Sequence, residues 1–352
     1  MMLLETTIEK INELQSEAME EARNHQKNLI KPYGSLGMLE DVAVKIAGIT
    51  GEVSPNLEKK AVIACAGDHG VTRQGVSVAA QEVSRQMLIG MLNGGAAINV
   101  LTRHVGAEVI CVDLGIVEPV DDDRLVVKRV APGTDDISQG PAMTREQARA
   151  AVEGGIEAAV EQIKKGTQLL ATGDLGIGNT TPSSAILVAF TGFPVDLIIG
   201  KGTGIKHDAM QRKISIVEQA LSINKPDTRD GLDVLAKVGG FEIGGIAGVI
   251  LGAAAHRVPV VIDGFISCAG AMIARSLAPQ SVDYMIASHL SEEPGHKIML
   301  TWLGLKPMLH MNMRLGEGTG AALVFNLIDA ALKIVREMAS FDSAGVSDDG
   351  LR

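Results

Sequence analysis

QLLATGDLGIGNTTPSSAILVAF, residues 168–190, decides the fold. Gln168–Thr172 reads as a buried strand. Gly173–Pro182 reads as a glycine-rich turn carrying hydroxyl and amide side chains, and Ser183–Phe190 as a helix. A strand, a tight turn and a helix in that order bring backbone N–H groups and the positive end of a helix dipole to one point, which suits a phosphate. Gly176, Ile177, Gly178, Asn179 and Thr180 form that candidate cradle. Thr180 or Thr181 can cap the helix, and Pro182 fits its first turn. No lysine follows the glycines, so the stretch is not the nucleotide-triphosphate loop, and the dinucleotide glycine spacing is absent as well.

On either side of this stretch, strand and helix signals alternate. Strands are expected at 61–66, 108–113, 168–172, 195–199, 258–263 and 283–287. Helical periodicity covers 81–103, 144–164, 182–190, 206–221, 241–255 and 265–277. Several strands are apolar throughout, so both of their faces must be covered. The expected class is α/β: a parallel sheet with helices on both faces. Ligands in such sheets bind beyond the carboxyl ends of the strands, where Asp68-His69, Asp174 and Asp263 fall. Two more helices are expected before the first strand, at 8–29 and 38–49, and one after the last, at 319–338; the tail 340–352 reads as loosely ordered.

The 352 residues carry a formal charge of −10, with no basic stripe and only 3% aromatics, which argues against nucleic-acid binding. Cys65, Cys111 and Cys268 are far apart and lack metal-ligand spacing; they read as buried thiols in a reducing compartment. MMLLETTIEK lacks a signal-peptide core, and the longest apolar run, Ile243–Ala255, is too short to span a bilayer. A cytoplasmic, soluble protein is expected.

The second informative stretch is Arg314-Leu315-Gly316-Glu317-Gly318-Thr319-Gly320-Ala321-Ala322-Leu323. Glu317 stands between two glycines where a loop becomes an apolar helix. Bare neighbours let a substrate approach its oxygens, as a general base requires; the same Glu also suits a helix dipole at the first turn.

GDLGIGNTTP and MRLGEGTGAAL together resemble the signatures of the nicotinate-nucleotide:dimethylbenzimidazole phosphoribosyltransferase family, which activates the lower ligand of cobalamin. Lys31–Glu40, Gly67–Val71, Gly140–Met143, Asn224–Pro226, Lys237–Glu242 and Ile262–Phe265 extend the resemblance over nearly the whole chain. It implies a Rossmann-like large domain at 59–295 and a small helical domain built from the two chain ends, 1–58 and 296–352. It also implies transfer of phosphoribose from nicotinate mononucleotide to an aromatic base, with no cofactor and no metal. In that reaction Glu317 matches the family's base. Asp174 stands where many relatives carry Glu; it could hold the base, support Glu317 or assist a cationic sugar centre, or simply tie down its own turn. Gly202 and Lys213 fall on the family's ribose and phosphate side. Without the resemblance, Lys213 would read as a solvated helix charge. His69 reads as structural, with Asp68 orienting its ring.

The acceptor pocket departs from the relatives. Ala79 and Ala80 are both small, Met87 replaces a polar amide, and Leu175, Leu315 and Gly316 complete an apolar wall. Either dimethylbenzimidazole or a phenol such as p-cresol could be the acceptor; phenol-activating relatives can pair two similar chains, of which one keeps the Glu. A dimer, of identical or similar chains, is expected. A Rossmann-type oxidoreductase, a non-catalytic subunit and a Ser-His-Asp hydrolase fit less well, for want of a dinucleotide fingerprint, because Glu317 is present, and for want of a G-x-S-x-G elbow.

Overall fold

The structure, a computed structural model, describes residues 2–200 and 207–348. At its centre lie β1 (Lys60–Gly67), β2 (Ala107–Gly115), β3 (Val126–Val127), β4 (Leu169–Leu175), β5 (Val260–Ile262) and β6 (Met285–Ala287). They form one parallel sheet in the spatial order β3-β2-β1-β4-β5-β6. The strand order reverses between β1 and β4, so the loops leaving those two strands diverge and open a crevice at their carboxyl ends. A two-stranded ribbon, β7 (His289–Leu290) with β8 (Leu309–His310), sits beyond β6.

Every residue of β1 and β4 is buried, as the apolar runs Ala61–Ala66 and Leu169–Ala171 require. Alternate side chains of β1 serve two cores. Ala61, Ile63 and Cys65 pack with Val152, Ile246 and Met272 of the helices Arg145–Lys164, Phe241–Ala255 and Phe265–Leu277. Val62, Ala64 and Ala66 pack with Ile46, Leu88 and Phe325 of the helices Met38–Thr50, Glu82–Leu92 and Thr319–Glu337. On the first face two helices cross almost backbone to backbone: a Cβ on Gly248 would run into the Val152 carbonyl. On the second face the chain ends meet. Met38–Thr50 packs on Thr319–Glu337, and Leu29 bridges Ser340. These end helices form one cover of the sheet and share its core.

Several elements differ from expectation, each for an identifiable reason. The run 195–199 is the helix Val195–Ile198, not a strand: Pro194 precedes it, the Ile199 N–H returns to the Val195 carbonyl, and β5 takes the place beside β4. The helix expected at 8–29 is broken into Leu3–Ile8 and Ser16–Lys27, because carbonyls between them are taken from outside. The Tyr284 hydroxyl donates to Asn12 O (2.8 Å) and Arg257 Nη1 to Glu13 O (3.2 Å). The helix at 81–103 divides at Gly94, φ 76°, into Glu82–Leu92 and Ala97–His104. The strand at 283–287 begins only at Met285, after a tight helical turn at Pro279–Tyr284. In the tail, Phe341–Ala344 is a short helix capped by Ser340, with Phe341 buried. All three cysteines are buried and free. Among the described residues no helix is long and apolar enough to cross a membrane. Lys206, expected to open the helix at 206–221, lies outside the described residues, as do Gly202 and residues 349–352 of the tail; the helix is observed from His207 to Asn224.

Candidate active site

The crevice at the β1/β4 reversal holds a cavity of about 310 Å³. β4 continues beyond Thr172, so Asp174 is a strand residue rather than part of the turn, paired in register with Cys65 of β1. Its side chain lines the cavity and is buried. Asn179 Nδ2 donates to Oδ2 (3.0 Å), while Oδ1 has no hydrogen-bond partner. Burial, then the nearby charge of Asp263, pushes the Asp174 carboxyl well above the ordinary carboxylate range; Asn179 offsets only part of this.

Gly176, Ile177, Gly178, Asn179 and Thr180 follow directly and all line the cavity. A side chain at 176 would strike the Gly67 carbonyl, so the loop needs glycine to cross β1 this closely. The Ile177 N–H donates to Ser84 Oγ (3.0 Å), which pins the loop to the helix Glu82–Leu92. The helix Thr180–Thr191 then starts, and the Asn179 side chain turns to Asp174 instead of capping it. Lys213 comes to the same point from the helix His207–Asn224. It is 1% exposed, not a solvated charge, and its Nζ donates to Thr180 Oγ1 (2.6 Å). Burial lowers its pKa to about 8, against the opposing pull of Glu293. A buried ammonium beside a helix N-terminus and a glycine-rich turn is suited to an anion.

Glu317 closes the cavity from the C-terminal loop. Gly316, Glu317 and Gly318 have φ of 84°, 64° and 88°, three left-handed residues in succession. A non-glycine residue there costs about 1 kcal/mol, so neighbouring contacts must hold it. β4 supplies one: only glycine at 173 leaves room for the Glu317 carbonyl. The Glu317 side chain is 4% exposed and its Oε2 has no hydrogen-bond partner. Burial raises its pKa and the Asp263 charge adds to this, while the Ile98 N–H, at the start of the helix Ala97–His104, works the other way. A raised carboxylate with an unoccupied oxygen on a cavity wall is equipped to take a proton.

The apolar wall is formed by Ala79, Val83, Met87, Leu175 and Leu315, with Gly316 beside Asp174. Ala80 is exposed and does not line the cavity: it opens the turn into the helix Glu82–Leu92, and Ala79 alone faces inward. Sequence reasoning did not single out His289, Ser291, Glu293 and Arg314, which also line the cavity; for the first three, the polar run 288–293 after β6 was the available signal. His69 is buried behind the glycine-rich loop. Its partner is Glu242, not Asp68: Nε2 donates to Glu242 Oε1 (2.7 Å), whereas Asp68 Oδ2 accepts from the Val117 N–H (2.8 Å). Burial opposes a charged His69, but Glu242 outweighs it and the pKa is raised. Among the described residues no acidic, His and Cys cluster could hold a metal ion.

The fold and the site define an α/β enzyme with a glycine-rich loop and a buried lysine at the strand-order reversal and a buried carboxylate facing into the same cavity. The chain belongs to the nicotinate-nucleotide–dimethylbenzimidazole phosphoribosyltransferase family; the family model described as Phosphoribosyltransferase matches residues 11–346. It is 56% identical to the nicotinate-nucleotide–dimethylbenzimidazole phosphoribosyltransferase of Chloroflexus aggregans, over 99% of both chains. With the enzyme of that name from Desulforamulus reducens it shares 53% identity, again over 99% of each. The crystal structure of the Thermus thermophilus enzyme superposes with a TM-score of 0.90 at 43% identity, covering 95% of this chain and 99% of that one.

Proposed function

We propose that this chain moves phosphoribose from nicotinate mononucleotide to a ring nitrogen of an aromatic base of the dimethylbenzimidazole class, with Glu317 as general base. The observation that carries this reading is that the Glu317 carboxylate, with a buried oxygen left unbonded, lines one cavity with Lys213 and the loop Gly176–Thr180. The phosphate of the nucleotide sits on that loop and on Lys213, which fixes the ribose beside Glu317. One base nitrogen attacks C1′ from the face opposite nicotinate. The C1′–N bond to nicotinate breaks, and its electron pair turns a cationic ring into a neutral aromatic, so expulsion requires no acid. The second nitrogen of the base gives its proton to Glu317, and inversion at C1′ yields the α-ribotide. Ala79, Val83, Met87 and Leu175 offer the acceptor a flat apolar wall.

We infer that the enzyme works as a dimer. Leu315, at the cavity mouth, is 56% exposed and Met311 nearby is 54% exposed, apolar surface that a second chain would cover. Light scattering on the purified chain reads this directly. The reaction is tested by mixing enzyme and nicotinate mononucleotide with equal dimethylbenzimidazole, adenine, phenol and p-cresol and identifying the ribotides by mass spectrometry. An α-N-ribotide of dimethylbenzimidazole is expected; a phenolic O-ribotide as sole product would overturn the acceptor assignment, and no product would overturn the reaction.

A further inference from the structure

The turn that displays Glu317 is held by one side chain from a distant strand. Asp263, at the end of β5, is 1% exposed. Its Oδ2 accepts from the Gly318 N–H (3.1 Å) and its Oδ1 from the Ala321 N–H (2.9 Å), and the Gly320 N–H also bonds to the carboxylate. The helix Thr319–Glu337 has no side-chain cap of its own: Gly318 stands at the capping position. A carboxylate that comes 55 residues earlier in the chain therefore acts as its N-cap. It does so next to the left-handed turn at 316–318, the part of the chain that most needs fixing. His289 supports it, with Nδ1 3.9 Å from Asp263 Oδ1, and a side chain at 320 would collide with that imidazole.

We infer that Asp263 is a positioning residue for Glu317: it fixes the turn that aims the Glu317 carboxylate into the cavity and places a second negative charge behind it. The inference rests on Glu317 being the base. The charge matters as well as the geometry. Glu317 faces Asp174 on β4, Asp263 just after β5, Cys111 on β2 and the Ile98 N–H, with His289 behind Asp263; Arg314 of its own loop lines the same cavity. Among these, the charge of Asp263 raises the proton affinity of Glu317. Without it the base would aim less well and bind its proton more weakly.

The test compares Asp263→Asn with Glu317→Gln in the full chain. Asn keeps the shape and one acceptor oxygen but loses the charge. Turnover of Asp263→Asn is expected to fall about 10- to 100-fold, the cost of a misaimed catalytic group, with the KM for nicotinate mononucleotide little changed. Its acid limb in the kcat–pH profile is expected to move to lower pH, because removing the neighbouring charge lets Glu317 ionise more readily. A loss of turnover with the acid limb unmoved would reduce Asp263 to a structural cap and overturn the proposal, as would wild-type turnover. Retained turnover in Glu317→Gln would instead overturn the underlying assignment of the base. Should Asp263→Asn fail to fold, amide exchange in the wild-type protein decides: Gly318 and Ala321 are expected to be strongly protected, and exchange as fast as in an exposed loop would refute the bracket.

Discussion

The end of β4 and the loop before the last long helix each present a carboxylate to the same cavity, and their settings differ. Asp174 belongs to β4 and is held by Asn179 alone, with burial and the charges of Asp263, Glu242 and Glu317 all opposing ionisation. Glu317 stands on a left-handed turn, with the Ile98 N–H favouring its charge, and its pKa is raised less far. The two lie close: a Cβ at 316 would sit 3.0 Å from both Asp174 oxygens. When carboxylates crowd together, the one whose surroundings oppose its charge more strongly holds the proton more tightly. The pair divides its labour accordingly. On the proposed reading Asp174, whose carboxyl is pushed further up, would keep its proton, and Glu317 would accept the one from the base.

Glu317→Gln sets the two carboxylates furthest apart. Turnover is expected to fall roughly 10²–10⁴-fold, the usual worth of a general base, while nicotinate mononucleotide binding measured by calorimetry persists. In the wild type the same carboxylate sets the acid limb. Glu317 must be ionised to act, so activity rises with pH through its raised pKa, and the limb should lie above the ordinary carboxylate range. Near-normal turnover in the variant would leave the two carboxylates without distinct roles.

Next in size is Lys213→Met. Losing a buried ammonium from the phosphate cradle should raise the KM for nicotinate mononucleotide about 10- to 100-fold, as expected for a charge-assisted hydrogen bond. The sign of its pH effect is opposite to that of Glu317. Lys213 is cationic below about 8 and neutral above it, so kcat/KM of the wild type should fall on the alkaline side, and the variant should lose that limb. An alkaline limb that survives Lys213→Met belongs to another group.

Asp174→Asn probes the other member of the pair. Asn imitates a protonated carboxyl in shape and charge, so turnover should drop by under about 10-fold. A loss as large as that of Glu317→Gln would mean that both carboxylates work ionised.

What was legible in the sequence follows the same division. The stretch at 173–182 is a local device: strand, glycines, amide and helix lie within it, and residues 174–180 line the cavity together. Glu317 was legible through its two glycines. The contacts that hold these groups were not, because each joins residues far apart in the chain: Asp263 to Gly318, Lys213 to Thr180, Glu242 to His69. Short elements failed for a related reason. β3 has only the two residues Val126–Val127 and draws its definition from β2, and the apolar run at 195–199 carries no signal that separates a strand from a helical turn. Where the chain supplied its own partners the expectation held; where tertiary partners took over, as Arg257 and Tyr284 did at residues 12–13, it did not.

The smallest expected effect tests the acceptor wall. Ala79 and Ala80 are identical neighbours in sequence, yet only Ala79 lines the cavity, and its backbone is fixed there because its N–H donates to Ser77 Oγ (3.2 Å). Two extra methyl groups at 79 intrude on the space for the flat acceptor; at 80 they project into water. Ala79→Val should raise the KM for dimethylbenzimidazole about fivefold and leave that for nicotinate mononucleotide alone, since one or two methyl groups in an apolar pocket shift binding only modestly. Ala80→Val should change neither, and steady-state kinetics with each substrate varied in turn separates the cases. Equal effects at both positions would place the acceptor over the rim of the cavity, against the solvent-facing side of this turn, and would move the specificity wall away from Met87 and Leu175.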